Sequence, residues 1–399
     1  MSRLQYDLVI VGGGLAGSSL GLNMARAGVK VLILDREARF RDRVRGEGIF
    51  PWGCAEARSL GIYQDLRERC GREIRMWRRH LGAERTADRD LAATTPSGLG
   101  MLNFRHEEMQ EVLIGLAEKA GATVRRPAEV VGVNPGPCPE VRLRDGERAT
   151  ARLVVGADGR ASRVRGWGGF TVCRNPDFLV IASTIHEGLG APDDAIQSCL
   201  SIERGQSMLL YPLGAGLHRS YLIHRAADRA QRFSGERDAA AFLAACRDMA
   251  MPAEWFGAAK QNGLLASFDS SASWVDHPAR DGVVLIGDAA GASDPTYGCG
   301  LALALRDVRL LRDQLLAEPD WTIAADRYAE AHDRDFAGLK RITDWFTDMN
   351  FSTGPAADAT RARSMPLRAA DPSRLPDLHG AGPDAPSDEH ARMRFYGLI

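Results

Sequence analysis

Residues 6–35, YDLVIVGGGLAGSSLGLNMARAGVKVLILD, decide the fold. The run YDLVIV at 6–11 is short and continuously apolar, which predicts a strand buried on both faces, as strands of parallel sheets are. The run LAGSSLGLNMARA at 15–27 predicts a helix that ends before Gly28, and VKVLIL at 29–34 predicts a second buried strand. The stretch therefore predicts a strand–helix–strand unit, from which parallel α/β sheets are built.

Three glycines occupy the turn between the first strand and the helix. Gly12, Gly14 and Gly17 form the pattern GxGxxG. The first allows a tight turn, the second lets a pyrophosphate approach the backbone, and the third lets helix and strand pack closely. Asp35 follows the second strand, where a carboxylate accepts hydrogen bonds from a ribose. The motif therefore predicts a dinucleotide site with its phosphates at the helix N-terminus, and it does not separate NAD from FAD.

Composition limits the class of protein. The 399 residues are enough for two or three domains, and 51 basic residues nearly balance 52 acidic ones, so nothing favours nucleic acid or an anionic membrane as a partner. The seven cysteines form no CxxC pair, which argues against a disulfide framework or a metal site. We expect a cytoplasmic protein, because no signal peptide precedes Tyr6 and no apolar run reaches the ~18 residues of a transmembrane helix.

Two further segments each place an Asp beside a Gly at the end of a buried strand. LVVGADGRASRVR at 153–165 contains Asp158, and VVLIGD at 283–288 ends in Asp288. PTYGCGL follows at 295–301, and its glycines, Gly298 and Gly300, lack the Cβ that would keep a flat ring away from the backbone. A helix beginning at Gly300 would direct free N–H groups and its positive dipole end at negative charge bound there.

With these three elements in this order, the chain resembles the FAD-dependent monooxygenases of the aromatic-hydroxylase (p-hydroxybenzoate hydroxylase-like) superfamily. The resemblance covers most of residues 5–350. It implies that FAD is the cofactor, with its adenosine half at GxGxxG and Asp35, its ribityl chain at Asp288, and its ring along the Pro295–Leu301 loop. The residues that it implies to be cofactor-binding are Gly12, Gly14, Leu15, Ala16, Gly17, Asp35, Arg36, Arg45, Arg105, Val131, Asp158, Gly287, Asp288, Pro295, Gly298, Cys299, Gly300 and Leu301.

The resemblance, joined to the hydrophobic patterns, predicts an α/β fold. A Rossmann-type FAD-binding domain would carry an inserted antiparallel-sheet substrate domain, because four short runs after residue 170 alternate apolar and polar residues. We also expect a helical C-terminal part, with a long amphipathic helix over 322–349. The tail from Ser352 onward should be irregular and wrap the surface, or be partly disordered. The predicted boundaries are 1–73, 101–169 and 268–350 for the FAD-binding domain, 74–100 and 170–267 for the substrate domain, and 351–399 for the tail.

The implied reaction is hydroxylation of an electron-rich, aromatic small molecule. NADPH or NADH would reduce the flavin transiently, and O₂ would then form a flavin C4a-hydroperoxide that attacks the substrate. The expected protein is a monomer or homodimer that binds this substrate and O₂ and holds no metal. The candidates for a general base on the substrate sheet are Tyr211, Tyr221, His186 and His224, of which we assign Tyr211 and His224 as catalytic.

Two departures from the family pattern keep other functions open. Ala302 stands where the aromatic hydroxylases usually have Asn, so it donates no side-chain hydrogen bond to the flavin. RGEGIFPWG at 45–53 looks closer to the halogenase and prenyl-reductase branches. The tryptophan-halogenase branch is disfavoured, because no lysine lies between Arg45 and Arg105 and no W-x-W occurs. The alternatives are an FAD-dependent reductase or halogenase-like oxidoreductase, or a non-catalytic FAD-binding protein.

Overall fold

A computed structural model describes residues 3–81, 84–228, 232–249 and 251–399. The strands within these ranges are, in chain order, β1 Arg3–Gln5, β2 Leu8–Val11, β3 Val31–Leu34, β4 Gly48–Ile49, β5 Gly71–Ile74, β6 Met76–Leu81, β7 Glu84–Asp90, β8 Met101–Phe104, β9 Thr123–Arg125, β10 Val130–Asn134, β11 Glu140–Leu143, β12 Arg148–Thr150, β13 Leu153–Gly156, β14 Val172–Arg174, β15 Leu179–Glu187, β16 Ala195–Ser201, β17 Gln206–Gly214, β18 Leu217–Arg225, β19 Lys260–Gln261, β20 Ala266–Ser270, β21 Ser273–Val275, β22 Ala279–Arg280, β23 Val283–Leu285 and β24 Gly291–Ala292.

The α-helices of the same ranges are α1 Leu15–Arg26, α2 Pro51–Ser59, α3 Tyr63–Arg69, α4 Leu91–Thr94, α5 His106–Lys119, α6 Val164–Trp167, α7 Ala239–Arg247, α8 Gly300–Ala317, α9 Trp321–Phe351, α10 Pro355–Ala370 and α11 Glu389–Phe395. Within the described residues, no helix is both long enough and apolar enough to cross a lipid bilayer.

A six-stranded sheet of order β22-β23-β13-β2-β3-β9 forms the centre of the molecule. All of its pairings are parallel except that of the edge strand β22. The strands β2, β3 and β13 are buried along their whole length, as the continuous apolar runs predict. The unit β2–α1–β3 and the α/β fold class are therefore confirmed.

An eight-stranded sheet lies beside this core. Its order is β19-β15-β18-β17-β16-β6-β7, with β20 also paired to β15, and its pairings are antiparallel except for β16 with β6. The predicted antiparallel sheet is thus present, with β6 and β7 contributed by the segment before residue 100. Since β20 runs to Ser270, the sheet extends slightly beyond the predicted boundary at residue 267.

The C-terminal part is helical, and the expectation of an irregular tail after Ser352 is wrong. The helix α10 begins at Pro355, whose fixed φ suits a first helical turn. Arg361 joins it to the end of α9, because its Nη1 donates to the carbonyls of Met349 (3.1 Å) and Ser352 (2.8 Å). On α11, Phe395 is fully buried, with its ring centroid 5.9 Å from that of Trp345. The hydrogen bonds of Arg361 and the buried ring of Phe395 hold this segment against the rest of the protein. Because these contacts do not need an apolar helix face, the sequence lacks the periodicity from which a helix is predicted.

The helices α2 and α8 approach each other closely at Gly53 and Ala302. A Cβ on Gly53 would lie 2.4 Å from the Cβ of Ala302 and 2.7 Å from its Cα, and Ala302 is fully buried. A side chain as large as Asn at 302 would therefore collide with α2. The departure from the family pattern at Ala302 follows from this helix contact.

We expect Gly53→Ala to destabilise the protein by about 1–3 kcal/mol, because the new methyl group overpacks the contact with Ala302. The matched control is Gly115→Ala on α5, where no atom lies within 4 Å of the added Cβ. That change should stabilise by up to ~1 kcal/mol through helix propensity. Urea unfolding of the two variants measures the difference, and equal effects would contradict the packing explanation.

Candidate cofactor and substrate site

The GxGxxG turn is held by close backbone contacts. Gly12 has φ +107°, and a Cβ there would lie 2.3 Å from the carbonyl oxygen of Ala157. A Cβ on Gly17 would lie 1.9 Å from the Gly12 carbonyl oxygen. Gly14 is the N-cap of α1, so the N–H groups of the first helical turn, at Leu15, Ala16 and Gly17, have no acceptor within the helix. The turn therefore presents backbone donors in the arrangement that binds phosphate.

Asp35 lies directly after β3 and closes over the turn. One carboxylate oxygen accepts from the Gly13 N–H at 2.7 Å, and the other accepts from the Glu37 N–H at 2.8 Å. The carboxylate is thus fixed beside the glycines, where a ribose attached to the phosphates would lie. Arg36 projects into solvent with 63% of its side chain exposed, 3.6 Å from the Glu37 carboxylate.

The two Asp-Gly segments meet at the end of the parallel sheet. Asp158 accepts from the N–H groups of Arg163 (2.7 Å) and Val164 (3.2 Å), and its buried Oδ1 has no partner among the described residues. Arg165, only 5% exposed, donates from Nη2 to the Asp288 carbonyl and from Nε to the Ala289 carbonyl, both at 2.6 Å. Arg165, the last residue of the 153–165 segment, is absent from the predicted cofactor residues, yet it joins the two segments.

The Asp288 carboxylate lies beside the start of α8 and accepts no hydrogen bond from any described residue. The N–H of Gly287 donates to Asp307 at 2.8 Å, and Asp307 in turn contacts His332 Nδ1 at 2.8 Å. The carboxylate of Asp288 forms no hydrogen bond with any described residue, and its Oδ1 lies 3.7 Å from the position of a Cβ on Gly300. The backbone is therefore anchored while the side chain stays available to a ligand.

The loop from Asp294 to Gly300 turns the chain into α8. Pro295 begins a short 3₁₀ turn capped by Asp294, and Gly298 has φ +65°. The helix α8 begins at Gly300, so its first N–H groups and its positive dipole end point out of the loop. Cys299 is fully buried, and burial raises the pKa of its thiol, so it remains protonated and acts as a packing residue.

The Arg45 loop lies against this helix. Arg45 Nη1 is 4.0 Å from the Asp288 carboxylate, and a Cβ on Gly46 would be 3.6 Å from the Leu301 side chain. Tyr221 of β18 donates from its hydroxyl to the Arg45 carbonyl at 3.1 Å. The predicted cofactor residues Arg45, Asp288 and Leu301 are thus brought together.

A buried ion pair ties the same loop to the antiparallel sheet. Arg219 of β18 is fully buried and donates to both carboxylate oxygens of Glu47, at 2.6 and 2.8 Å, and to Asp42 at 3.0 Å. Asp42, Glu47 and Glu107 bring carboxylate oxygens within 4.8 Å of one another, which is also the spacing of a cation site. The Arg219 guanidinium supplies positive charge to Asp42 and Glu47, and the Arg105 guanidinium lies 2.6 Å from Glu107.

Arg105 and Val131 are the two remaining residues that were predicted to bind the cofactor. Arg105 is the N-cap of α5, and its side chain, 37% exposed, keeps a buried Nε without a partner among the described residues. Val131 lies at a register shift between β10 and β11, where Val130 and Gly132 pair but Val131 does not. A bulge of this kind leaves backbone groups outside the ladder.

The two residues assigned as catalytic lie on opposite faces of the antiparallel sheet. Tyr211 faces the cofactor loops, with its hydroxyl 3.7 Å from the position of a Cβ on Gly298. His224 shares the face of Leu222, which packs into the cluster around Phe242 of α7. The structure therefore contradicts a catalytic role for His224. His186 lies on that far face too, stacked on Phe242 at 5.9 Å.

Both tyrosines on the near face remain protonated. Burial raises the pKa of Tyr211, and burial with the nearby Glu47 carboxylate raises the pKa of Tyr221. Tyr221 already donates its hydroxyl to the Arg45 carbonyl. Tyr211 forms no hydrogen bond with any described residue, so it offers a free O–H donor rather than a general base.

Sequence reasoning missed three aromatic side chains around Tyr211. The Phe50 ring lies 3.3 Å from the position of a Cβ on Gly298, and the Trp77 ring meets Tyr211 edge-on at 6.3 Å. His379, from the segment expected to be irregular, stacks on Phe50 at 4.6 Å. The PWG sequence directly after Phe50 could have drawn attention to Phe50. Nothing in the local sequence indicates that Trp77 or His379 lies near Tyr211.

These residues fit FAD. The glycines at 12 and 17 leave no space for a Cβ, and the Asp288 carboxylate accepts no hydrogen bond within the described residues. Asp158 and Arg105 each keep a buried polar atom without a partner in the same ranges. The arrangement offers phosphate donors, ribose and ribityl acceptors, and a loop in which Gly298 and Gly300 lack the Cβ that would obstruct a flat ring.

Comparisons with known proteins agree. A family model described as "FAD binding domain" matches residues 5–324. The chain is 28% identical over 324 residues to a rifampicin monooxygenase of Streptomyces venezuelae, covering 79% of this chain and 65% of that protein, so it spans less than two thirds of that relative. It is 27% identical to a menaquinone reductase of Mycobacterium tuberculosis, covering 88% and 86%. The solved p-nitrophenol 4-monooxygenase of Pseudomonas putida superposes with a TM-score of 0.76 at 21% identity, covering 90% and 92%, which shows the shared fold.

We expect Asp288→Ala to lose most bound FAD while keeping the fold, because the carboxylate makes no hydrogen bond within the described protein. The flavin absorbance per polypeptide after purification measures occupancy, and thermal melting of the apoprotein measures folding. Asp281→Ala, at an exposed turn, is the control. Full FAD occupancy in Asp288→Ala would contradict the assignment.

The buried His186 predicts a dependence of stability on pH. Burial and the nearby His218 and Arg219 lower its pKa from 6.5 to about 4. As pH falls below about 6.5, the unfolded chain binds a proton there that the folded chain does not, so the contribution to stability falls by about 2 kcal/mol by pH 5. Relative to wild type, His186→Gln should lose less unfolding free energy between pH 7.5 and 5.

Urea unfolding at the two pH values measures this difference. The control is His390→Gln, which replaces an exposed histidine of the C-terminal segment. Equal acid sensitivity of wild type and His186→Gln would show that His186 does not contribute to it.

Proposed function

The chain belongs to the family defined by this FAD binding domain, and from that premise we propose that it is a monooxygenase. It would use NADPH or NADH and O₂ to hydroxylate an electron-rich, aromatic small molecule. FAD, when bound and reduced, supplies the two-electron chemistry that activates O₂. The protein residues hold the cofactor, orient the substrate and exclude water.

The observation that carries the proposal is a cluster of aromatic side chains next to the loop at Gly298. Phe50 and Tyr211 both approach Gly298, and Trp77 is 6.1 Å from Phe50 and 6.3 Å from Tyr211. All three side chains are at least 93% buried. Aromatic walls that meet at tilted and edge-on angles suit a planar ring, because such pairs add attraction beyond the buried area.

The described residues also supply the polar groups that such a reaction needs. Tyr211 offers a free hydroxyl beside Gly298, and Asn103 fixes the adjacent backbone by donating to the Pro212 carbonyl at 3.0 Å. The first turn of α8 directs N–H groups and a positive dipole end toward the same loop, which stabilises negative charge on the ring by ~0.3–1 kcal/mol or more. Water exclusion by the buried aromatic walls favours productive use of activated oxygen.

A second candidate is an FAD-dependent reductase. The menaquinone reductase covers a larger share of the chain than the rifampicin monooxygenase does, and RGEGIFPWG resembles the reductase and halogenase branches. A non-catalytic FAD-binding protein is less favoured, because its one supporting feature, Ala302, is explained by the contact with Gly53.

We expect the FAD-loaded protein to oxidise NADPH or NADH under air, faster in the presence of phenols and aminophenols. Isotopically labelled O₂ should place one labelled oxygen atom in the product, which mass spectrometry detects. Asp288→Ala is the control for flavin dependence. A product that gains two hydrogens and no label would favour the reductase, and no oxidation of either nicotinamide would contradict both enzymes.

A further inference from the structure

A turn of the C-terminal segment, Asp377–Gly382, packs against the aromatic cluster of Phe50, Trp77 and Tyr211. Asp377 forms a two-pronged ion pair with Arg89 of β7, in which Nη1 and Nη2 each donate to one carboxylate oxygen at 2.8 Å. The same carboxylate accepts from the Gly380 N–H at 3.0 Å. The turn is therefore fixed to the antiparallel sheet by paired, charge-assisted hydrogen bonds.

The other end of the turn is fixed to the cofactor-binding core. Gly382 has φ +55°, and a Cβ there would lie 2.4 Å from the Trp52 indole. Two residues further, Asp384 accepts from Arg306 of α8 at 2.5 Å. Because both ends are anchored, the turn spans the junction between the two sheets.

His379, in the middle of this turn, packs its ring against the aromatic cluster. Its ring stacks on Phe50 at 4.6 Å with an interplanar angle of 29°, and it lies 4.3 Å from Trp77 at 39°. Phe50 is the residue that also touches Gly298 of the cofactor loop. His379 thus contacts two of the three walls that the proposed function assigns to the substrate site.

The imidazole is neutral and has no hydrogen-bond partner among the described residues. Burial, and then the nearby Arg89 guanidinium, lower the pKa of His379 to about 3, so one ring nitrogen carries a free lone pair at neutral pH. Neither ring nitrogen forms a hydrogen bond with any described residue, although Arg89 and Asp377 lie close by and bond to each other. His379 is half-buried, and a neutral ring nitrogen that bonds to no described residue is available to a ligand beside these rings.

We propose that His379 is a substrate-contacting residue, whose free ring nitrogen accepts a hydrogen bond from the hydroxyl group of a phenolic substrate. The inference rests on the proposed function, which it deepens by naming the substrate class and the group recognised. Tyr211, whose ring meets Trp77 edge-on and whose hydroxyl bonds to no described residue, would contact a different edge of the substrate ring.

Two substitutions separate recognition from packing. His379→Phe keeps a flat ring between Phe50 and Trp77 but removes the acceptor, and His379→Gln restores an acceptor without the ring. The matched control is His390→Phe, an exposed histidine of the same C-terminal segment. All variants are compared with wild type as FAD-loaded full-length protein, with melting temperature and flavin occupancy as checks of folding.

The direct test is equilibrium binding of 4-nitrophenol, followed by the perturbation of the flavin spectrum. We expect His379→Phe to bind it about tenfold more weakly than wild type, as loss of one buried hydrogen bond implies, with unchanged melting temperature. His379→Gln should recover part of the affinity, and His390→Phe should match wild type. In turnover with a phenolic substrate that the wild type hydroxylates, His379→Phe should raise KM more than it lowers kcat. It should also yield less product per NADPH consumed.

Equal 4-nitrophenol affinity in His379→Phe and His390→Phe would overturn the proposal, as would failure of wild type to bind 4-nitrophenol up to its solubility limit. The binding assay separates this inference from the proposed function. If wild type binds 4-nitrophenol through His379 but incorporates no labelled oxygen, the monooxygenase proposal fails and the recognition site stands. If labelled product forms equally in all variants, the monooxygenase proposal stands and the assignment of His379 to substrate recognition fails.

Discussion

The close approach of three chain segments at the carboxyl ends of β2, β13 and β23 is the constraint on which the site depends. The Ala157 N–H donates to the Val11 carbonyl at 2.7 Å, and the Ile286 N–H donates to the Gly156 carbonyl at 3.0 Å. Gly12 touches the Ala157 carbonyl, and a Cβ on Gly287 would lie 3.2 Å from that of Ala16. Because glycine alone tolerates these contacts and positive φ angles, the phosphate donors of α1, the Asp158 segment and the Asp288 segment are brought together. Parallel strands release their connecting loops at one edge, so a ligand at that edge contacts all three.

A second link aligns the antiparallel sheet with this edge. Arg219 is fully buried and shared between Glu47 and Asp42. An ion pair of this kind adds little net stability, because desolvation of the charges offsets their attraction. Its geometric effect is larger, since a planar guanidinium with two carboxylate partners tolerates few orientations. It therefore sets where β18 lies relative to the Arg45 loop and thus where Tyr211 and Tyr221 meet the cofactor loops.

Local patterns were sufficient to predict the parts of the molecule that local geometry determines. GxGxxG, Asp35 and the Asp288 segment each need particular residues in a particular turn, so their positions can be derived from the sequence. Tyr211 and His224 could not be separated in the same way. They lie on different strands, and the face that each presents depends on the register between β17 and β18, which side-chain alternation alone does not fix. The role of His379 could not be predicted, because its position depends on the ion pair of the neighbouring Asp377 with Arg89. These two residues are 288 positions apart in the chain.

Ala302 shows how packing and chemistry compete at one position. A Cβ on Gly53 would lie 2.4 Å from the Ala302 methyl group, so α2 and α8 approach closely where the family pattern has an amide. The Pro295–Leu301 loop must then offer its hydrogen bonds from the backbone, through the N–H groups of Gly300, Leu301 and Ala302 at the start of α8. Backbone donors on a rigid helix are pre-oriented and need no side-chain ordering, which suits stabilisation of charge at a fixed place. The same close approach sets Phe50, the N-cap residue of α2, against Gly298, so one helix contact shapes both the cofactor wall and the aromatic wall on which His379 stacks.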